Sequence, residues 1–264
     1  EKLYIDIPVT KIWDNMESDA AQVYKLNSIK FQVKNGENIV AEKEVTENDE
    51  WSYIFQNLPK YDEIGNEINY MVVEKATNID EQEILNTYYN VNTSISRKLA
   101  ETSVTITNTF DPSKVQDETI EIVAQKEWKN LDSDAAAEYA ISSIILEVRV
   151  YAEDGSYALA AVKEVTAEDN WTHTFTNLKK YDVNGNEIIY VVDEVASNNK
   201  DAEKLEVYNK EITTEDGNII VTNTFDPAKV QEDKIELTAK KVWANLDSDA
   251  AKDYEITRIT LQVK

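Results

Sequence analysis

Residues 104–110 read Val104-Thr105-Ile106-Thr107-Asn108-Thr109-Phe110, and residues 219–225 read Ile219-Ile220-Val221-Thr222-Asn223-Thr224-Phe225. Apolar side chains alternate with threonine, which is the two-residue period of a strand with one buried face. Asn108 and Asn223 fall on the apolar side of that alternation, with Val104, Ile106 and Phe110 in one case and Ile219, Val221 and Phe225 in the other. The two stretches lie 115 residues apart, so the chain repeats. Lys11-Ile12-Trp13 recurs as Lys126-Glu127-Trp128 and as Lys241-Val242-Trp243, again at 115. Ser18-Asp19-Ala20-Ala21 recurs as Ser133-Asp134-Ala135-Ala136 and Ser248-Asp249-Ala250-Ala251. In mid-repeat, from Trp51 to Gly65-Asn66-Glu67 and from Trp171 to Gly185-Asn186-Glu187, the shift is 120. The second copy therefore gains residues near the Asp154-Gly155 turn and loses them later.

The predicted domains are a first repeat over 1–111, a second over 112–226, and the opening strands of an incomplete third over 227–264, part of a longer array. Asp111-Pro112 and Asp226-Pro227 mark the joints, since proline removes a ladder donor and restricts its predecessor. Asn35-Gly36, Asp154-Gly155 and Asp216-Gly217 are hairpin turns. Helix is expected only as a short capped turn at Asp134-Ala135-Ala136-Ala137 and its partners. About seven short strands per repeat of ~110 residues predict an all-β chain of tandem antiparallel sandwiches.

Composition excludes several function classes. Of 264 residues, 27 are Lys or Arg and 51 are Asp or Glu, a formal charge of −24. Such a chain lacks the basic face that nucleic acid or an anionic membrane requires. There is no cysteine and one histidine, His173, so disulfides, thiol chemistry, CxxC zinc and Ser–His triads are out of reach. His173 stands where the first repeat has Tyr53 and reads as a strand-packing residue. The acidic turns at 132–134 and 182–187 suggest calcium only superficially, the second lacking the full EF-hand spacing and flanking helices, and both read as solvated loops. The five tryptophans read as core or joint packing. No cofactor is expected.

Strand parity also puts charge on the apolar face. Leu3, Ile5, Ile7, Val9, Lys11 and Trp13 share a face; so do Ile120, Ile122, Ala124, Lys126 and Trp128, and Ile235, Leu237, Ala239, Lys241 and Trp243. Glu74 shares one with Ile68, Tyr70 and Val72, and Glu194 with Ile188, Tyr190 and Val192. Burying an unpaired ammonium or carboxylate costs several kcal/mol or more. Two outcomes are open. One is a buried Lys–Glu pair with Asn hydrogen-bonded nearby. The other is chemistry: desolvation lowers the lysine pKa and raises that of the glutamate. A neutral amine then attacks the Asn carboxamide, Glu shuttles protons, ammonia leaves, and an isopeptide bond remains.

Lys-x-Trp early, Tyr-x-Val-x-Glu late, Thr-Asn-Thr-Phe at the end and Trp51…Phe55-Gln56-Asn57-Leu58-Pro59-Lys60-Tyr61-Asp62 between them resemble the Cna protein B-type domain. These are prealbumin-like sandwich repeats of Gram-positive surface adhesins and pilins. The resemblance covers both complete repeats and the opening of the third. It implies a spontaneous Lys11–Asn108 bond assisted by Glu74 and a Lys126–Asn223 bond assisted by Glu194. Lys241 matches the lysine position without its partners. Where the family often has paired acids after the Trp, this chain has Asp14-Asn15 and Lys129-Asn130, and Ser-Asp-Ala-Ala replaces a proline-bearing loop. The expected role is an extracellular stalk or spacer of a cell-wall-anchored adhesin rather than an enzyme with turnover. Its partners are the neighbouring repeats, with a host matrix protein bound through another region. The alternatives are a matrix-binding module and a pilin shaft.

Overall fold

The computed structural model describes residues 3–98, 101–230 and 237–244, together with 247, 251, 254, 256 and 258–262. The first repeat runs β1 (Tyr4–Asp14), α1 (Asp19–Val23), β2 (Ser28–Asn35), β3 (Asn38–Thr46), β4 (Ser52–Pro59), β5 (Tyr70–Lys75), α2 (Ile79–Tyr88), β6 (Tyr89–Lys98) and β7 (Glu101–Phe110). The second runs β8 (Thr119–Lys129), α3 (Asp134–Glu138), β9 (Ser143–Tyr151), β10 (Tyr157–Thr166), β11 (Thr172–Lys179), β12 (Val191–Ala196), α4 (Asn199–Leu205), β13 (Tyr208–Glu215) and β14 (Asn218–Phe225). Each repeat is a sandwich of a four-stranded sheet, β4-β1-β7-β6 or β11-β8-β14-β13, and a three-stranded one, β3-β2-β5 or β10-β9-β12. Their inner faces meet in one core per repeat, around Ile7, Val9, Phe31, Ile106 and Phe110 in the first and Ala124, Leu146, Val221 and Phe225 in the second.

Among the described residues, all strand pairings but one in each repeat are antiparallel. The exception joins the first strand to the last: β1 runs parallel to β7, with Trp13 opposite Asn108, and β8 runs parallel to β14, with Trp128 opposite Asn223. The all-antiparallel expectation is corrected at those two pairs. Hairpin turns cannot make them, because parallel neighbours need a long connection, here the rest of the domain.

Helix content also exceeds the expectation. α1 and α3 are the short capped turns, with Ser18 and Ser133 accepting from Ala21 N–H and Ala136 N–H. α2 and α4 were not foreseen. Asn78 caps α2 by accepting from Glu81 N–H, and Asn198 caps α4 by accepting from Asp201 N–H. Leu85 is buried in the core, and Ile84 and Tyr88 pack against it. The later loss of residues falls here and in the last hairpin: α2 has 10 residues against 7 in α4, and β6 and β7 have 10 each against 8 in β13 and β14.

Two further expectations are corrected. Leu3 is exposed rather than packed with Ile7 and Val9, because β1 enters the sheet only at Tyr4. In the third copy, residues 237–244 form no strand and are exposed. None of the described residues supplies the flanking partners that β1 and β8 have. Ile235 lies outside the described residues, as do Ser248, Asp249 and Ala250.

Candidate functional site

The register of β1 puts Lys11 between Val9 and Trp13, facing the opposite sheet. Its residue is 3% exposed, and Lys126 on β8 is 2% exposed. Asn108 and Asn223, on the adjacent last strands, are sealed at 0% and 1%. The glutamates come from the other sheet, Glu74 on β5 opposite Phe31 and Glu194 on β12 opposite Leu146. Sandwich closure thus brings Lys11, Glu74 and Asn108 together in one core, and Lys126, Glu194 and Asn223 in the other.

The geometry is nearly the same twice. Lys11 Nζ is 3.6 Å from Glu74 Oε1, and Lys126 Nζ is 3.5 Å from Glu194 Oε2. Asn108 Nδ2 donates to Glu74 Oε2 at 2.9 Å, and Asn223 hydrogen-bonds Glu194 through its side chain. Each ammonium also donates to a backbone carbonyl, Lys11 to Ile12 O at 3.0 Å and Lys126 to Glu127 O at 2.9 Å. Among the described residues no donor reaches Asn108 Oδ1 or Asn223 Oδ1, nor the glutamate oxygen nearest each lysine. An orphaned acceptor in a core forfeits roughly 1–3 kcal/mol; each cluster carries one in its asparagine oxygen, while the glutamate oxygen faces the ammonium at ion-pair distance.

Aromatic rings wall the clusters off. Lys11 Nζ lies 4.2 Å from the Trp13 ring centroid and Lys126 Nζ 4.2 Å from that of Trp128. The Lys-x-Trp spacing shows in the sequence, since residues two apart share a strand face, but the cation–π role was missed there. Trp13 is held edge-on by Trp51 at 5.4 Å and by Tyr89 at 5.3 Å; Trp128 is held likewise by Trp171 and Tyr208. Trp51 reaches that place through left-handed backbone at Glu50 and Trp51, φ 51° and 53°, and its carbonyl accepts from Lys11 N–H at 2.8 Å. Non-glycine residues there are strained, and Asn170 and Trp171 repeat the strain in the second copy. Asn15, also left-handed, donates from Nδ2 to Phe110 O at 2.8 Å, and Asn130 to Phe225 O at 2.8 Å. These bonds tie the end of the first strand to the end of the last. They give both asparagines a structural role.

Burial works against the charged form of both partners. Burial is the largest influence on Lys11 and pulls its pKa from 10.5 to about 8, with Glu74 pulling back; Lys126 is lowered to about 8 for the same reason. Burial likewise holds Glu74 and Glu194 above the usual carboxylate range, against the opposing pull of the lysine and asparagine. Moving the proton from ammonium to carboxylate therefore relieves desolvation at both ends.

The second repeat carries an outer shell that sequence reading did not find. Asp193 accepts from Lys210 Nζ at 2.5 Å and from Arg149 Nη1, and Arg149 also pairs with Glu147 at 2.6 Å. The Lys210 charge lowers the pKa of both Lys126 and Glu194. The first repeat has Lys34, Val73 and Val91 at the positions of Arg149, Asp193 and Lys210, so no such shell forms there. Lys241, the third lysine in register, is exposed, donating to Val242 O at 3.2 Å with Trp243 4.7 Å away. His173 packs edge-on against Phe175 as Tyr53 packs against Phe55. Among the described residues no cluster of His, Cys, Asp or Glu is arranged to hold a metal ion, and no helix is long and apolar enough to cross a membrane.

Comparison with known proteins places this architecture. The sequence pattern of the Cna protein B-type domain matches residues 7–109 and again 122–224. Over 257 residues the chain is 28% identical to a collagen adhesin of Staphylococcus aureus, covering 95% of this chain and 18% of that protein. A solved single B repeat unit of the collagen-binding surface protein of Staphylococcus aureus is 21% identical, with a TM-score of 0.33, covering 85% of this chain and 100% of that one. A pilus adhesin, SpaC from Lactobacillus rhamnosus GG, is 13% identical, with a TM-score of 0.28 and coverage of 84% and 28%. Both family matches run from the first strand of a repeat to its last, through the lysine and the glutamate to the asparagine, and so this chain belongs to the Cna protein B-type domain family.

Proposed function

We propose that each complete repeat crosslinks itself, Lys11 to Asn108 and Lys126 to Asn223, and that the strapped repeats serve as a load-bearing stalk in a bacterial surface adhesin. The observation that carries this is the cluster itself, sealed in the core in duplicate, with an ammonium and a carboxamide meeting on one carboxylate. The proton passes from Lys11 Nζ to Glu74, leaving an amine lone pair and a carboxylic acid. The two ends of a carboxamide are alike in size, so turning Asn108 end for end sets Oδ1 where Nδ2 sits, 2.9 Å from Glu74 Oε2, as acceptor of the acid's proton. That hydrogen bond polarises the carbonyl, and Nζ attacks Cγ. Glu74 then relays an amine proton to Nδ2, the Cγ–Nδ2 bond breaks, and ammonia leaves. It carries two hydrogens from the carboxamide and one from the lysine. The first lysine proton, still held by Glu74, leaves with the ammonia as ammonium, so the carboxylate is regenerated, but Lys and Asn are consumed and there is no turnover.

Intact-mass spectrometry of the folded chain tests this. The expected mass is lower than the sequence mass by one ammonia per complete repeat, two in all. An unmodified mass would falsify the crosslink.

The pH response of an unlinked repeat tests its electrostatic basis. Asn108→Ala removes the carboxamide and keeps Lys11 and Glu74. A lysine whose folded pKa is depressed contributes its full stability above 10.5, and this is lost as pH falls towards about 8. A glutamate whose folded pKa is raised contributes its full stability below 4.5, lost as pH rises through the raised value. Urea unfolding of Asn108→Ala, taken relative to the Lys11→Met, Glu74→Gln, Asn108→Ala variant, is expected to show a stability minimum around neutral pH. A maximum there would mean that the ion pair is the favoured state.

The name of the Staphylococcus aureus relative raises a second reading, a collagen-binding module. Tandem repeats joined by short linkers favour the spacer. Surface plasmon resonance of the chain over immobilised collagen is expected to give no saturable binding, and saturable binding would favour the module instead.

A further inference from the structure

The two repeats meet through a loop and a turn that each of them possesses, yet among the described residues only one of each is occupied. On the second repeat, the Asp182–Glu187 loop lies against the Ser18–Ala21 turn of the first. Ala20 N–H donates to Gly185 O at 2.9 Å, and Glu187 N–H donates to the Asp19 carboxylate at 2.8 Å. The linker adds Tyr24 O–H to Glu118 at 2.6 Å and Gln116 Nε2 to Asp182 O at 2.7 Å. Tyr181 is 1% exposed and packs within the core of the first repeat rather than its own. Gly185 is pressed so close that a Cβ would stand 2.9 Å from Ser18 Oγ and 3.4 Å from Pro112 Cβ.

The unoccupied copies have the same build. The Asp62–Glu67 loop of the first repeat folds as Asp182–Glu187 does: Asp62 Oδ1 accepts from Ile64 and Asn66 N–H as Asp182 Oδ1 does from Asn184 and Asn186. Gly65 has φ +87° against +85° at Gly185, but nothing within 4 Å of its would-be Cβ among the described residues. On the second repeat, Ser133-Asp134-Ala135-Ala136 repeats Ser18-Asp19-Ala20-Ala21 in sequence and in its cap. There Ser133 is exposed where Ser18 is half-buried, and Ala135 half-buried where Ala20 is sealed. The linker beyond the second repeat begins as the first one does. Ala228 N–H donates to Asp226 Oδ1 at 3.0 Å, as Ser113 N–H does to Asp111 Oδ1 at 3.0 Å.

We propose that the Ser133–Ala136 face of the second repeat is a docking surface for the Asp-x-x-Gly-Asn-Glu loop of a following copy of this repeat, in the geometry of the first joint. The occupant is set by the chain itself: the same four residues already hold that loop once, and the opening of another copy follows at Lys241-Val242-Trp243. The array is then stiff, with one orientation repeated at every joint. This stands apart from the crosslink, since no joint residue belongs to either lysine cluster.

The test extends the full chain after Lys264 with a copy of residues 150–226, which completes the third repeat in the 115-residue register. The chain has no cysteine, so nitroxide labels at Glu44→Cys, Glu164→Cys and the third copy's equivalent of Glu164 report both joints by electron–electron distance measurement. The expected result is the same narrow distance distribution at both. Gly185→Val in one copy should broaden only the joint that copy makes. Gly65→Val, with the same backbone strain and no neighbour, should change neither. A second joint that is broad or differently centred would overturn the proposal. Should the added copy not fold, the 264-residue chain decides by itself. At millimolar concentration, the strength a short linker supplies, amide signals of 62–67 and 133–136 should shift together. Their failure to shift would overturn it equally.

Discussion

Glu74→Ala is expected to leave Lys11 and Asn108 unlinked in a folded first repeat while the second still loses its ammonia; Glu194→Ala should do the reverse. The independence follows from the two separate cores. Without the glutamate no group receives the lysine proton, and none among the described residues stands ready to donate to the carboxamide oxygen. The consequence for stability is large. The proposed strap would close a loop of 97 residue steps, 108 − 11, and the second would close 223 − 126, the same number. By analogy with disulfides, closing such a loop removes about 4–5 kcal/mol of unfolded-state freedom on the chain-entropy account. For a domain of this size that is a melting-temperature drop of roughly 15–35 °C. Asn108→Ala removes the same strap and keeps the glutamate, so a similar drop in both variants assigns the effect to the missing bond. Linked product from Glu74→Ala would refute the proton-relay role and leave the crosslink itself standing.

The second large effect is mechanical. In the proposed stalk, load would enter a repeat through its first strand and leave through its last, and these strands are parallel neighbours. Pulling their opposite ends shears the whole ladder rather than unzipping it bond by bond. A covalent strap between Lys11 and Asn108 then carries the load past everything between them. In single-molecule stretching, linked repeats are expected to show no unfolding step from the enclosed 97 residue steps. With Glu74→Ala and Glu194→Ala combined, each repeat should release that hidden length, roughly 320–350 Å of extended chain. Steps of that size from the unmodified chain would rule out the strap.

Much of this site is legible in the sequence because strand parity is a local rule. A strand that buries one face fixes which residues share that face, so Lys11, Glu74 and Asn108 register as misplaced polar groups before any partner is known. Parity names a face and not a neighbour, and its misses show the limit. Lys241 obeys the same alternation as Lys126, yet it is exposed, because no flanking strands accompany it among the described residues. α2 escaped notice because only Leu85 of its residues is buried, leaving a weak apolar stripe. Its one clear signal was the spacing of the Asn78 cap and Glu81. The Arg149, Asp193 and Lys210 shell was invisible because its members come from three strands of two sheets.

The amino-acid order alone determined the repeat, the strands and which side chains turn inward, since each depends on residues near one another along the chain. Only the tertiary structure decided that lysine and asparagine come from adjacent parallel strands and glutamate from the sheet facing them. It also decided that the loop of one repeat sits on the turn of the other. Closure of two sheets over a shared core sets those distances, and no local period encodes them.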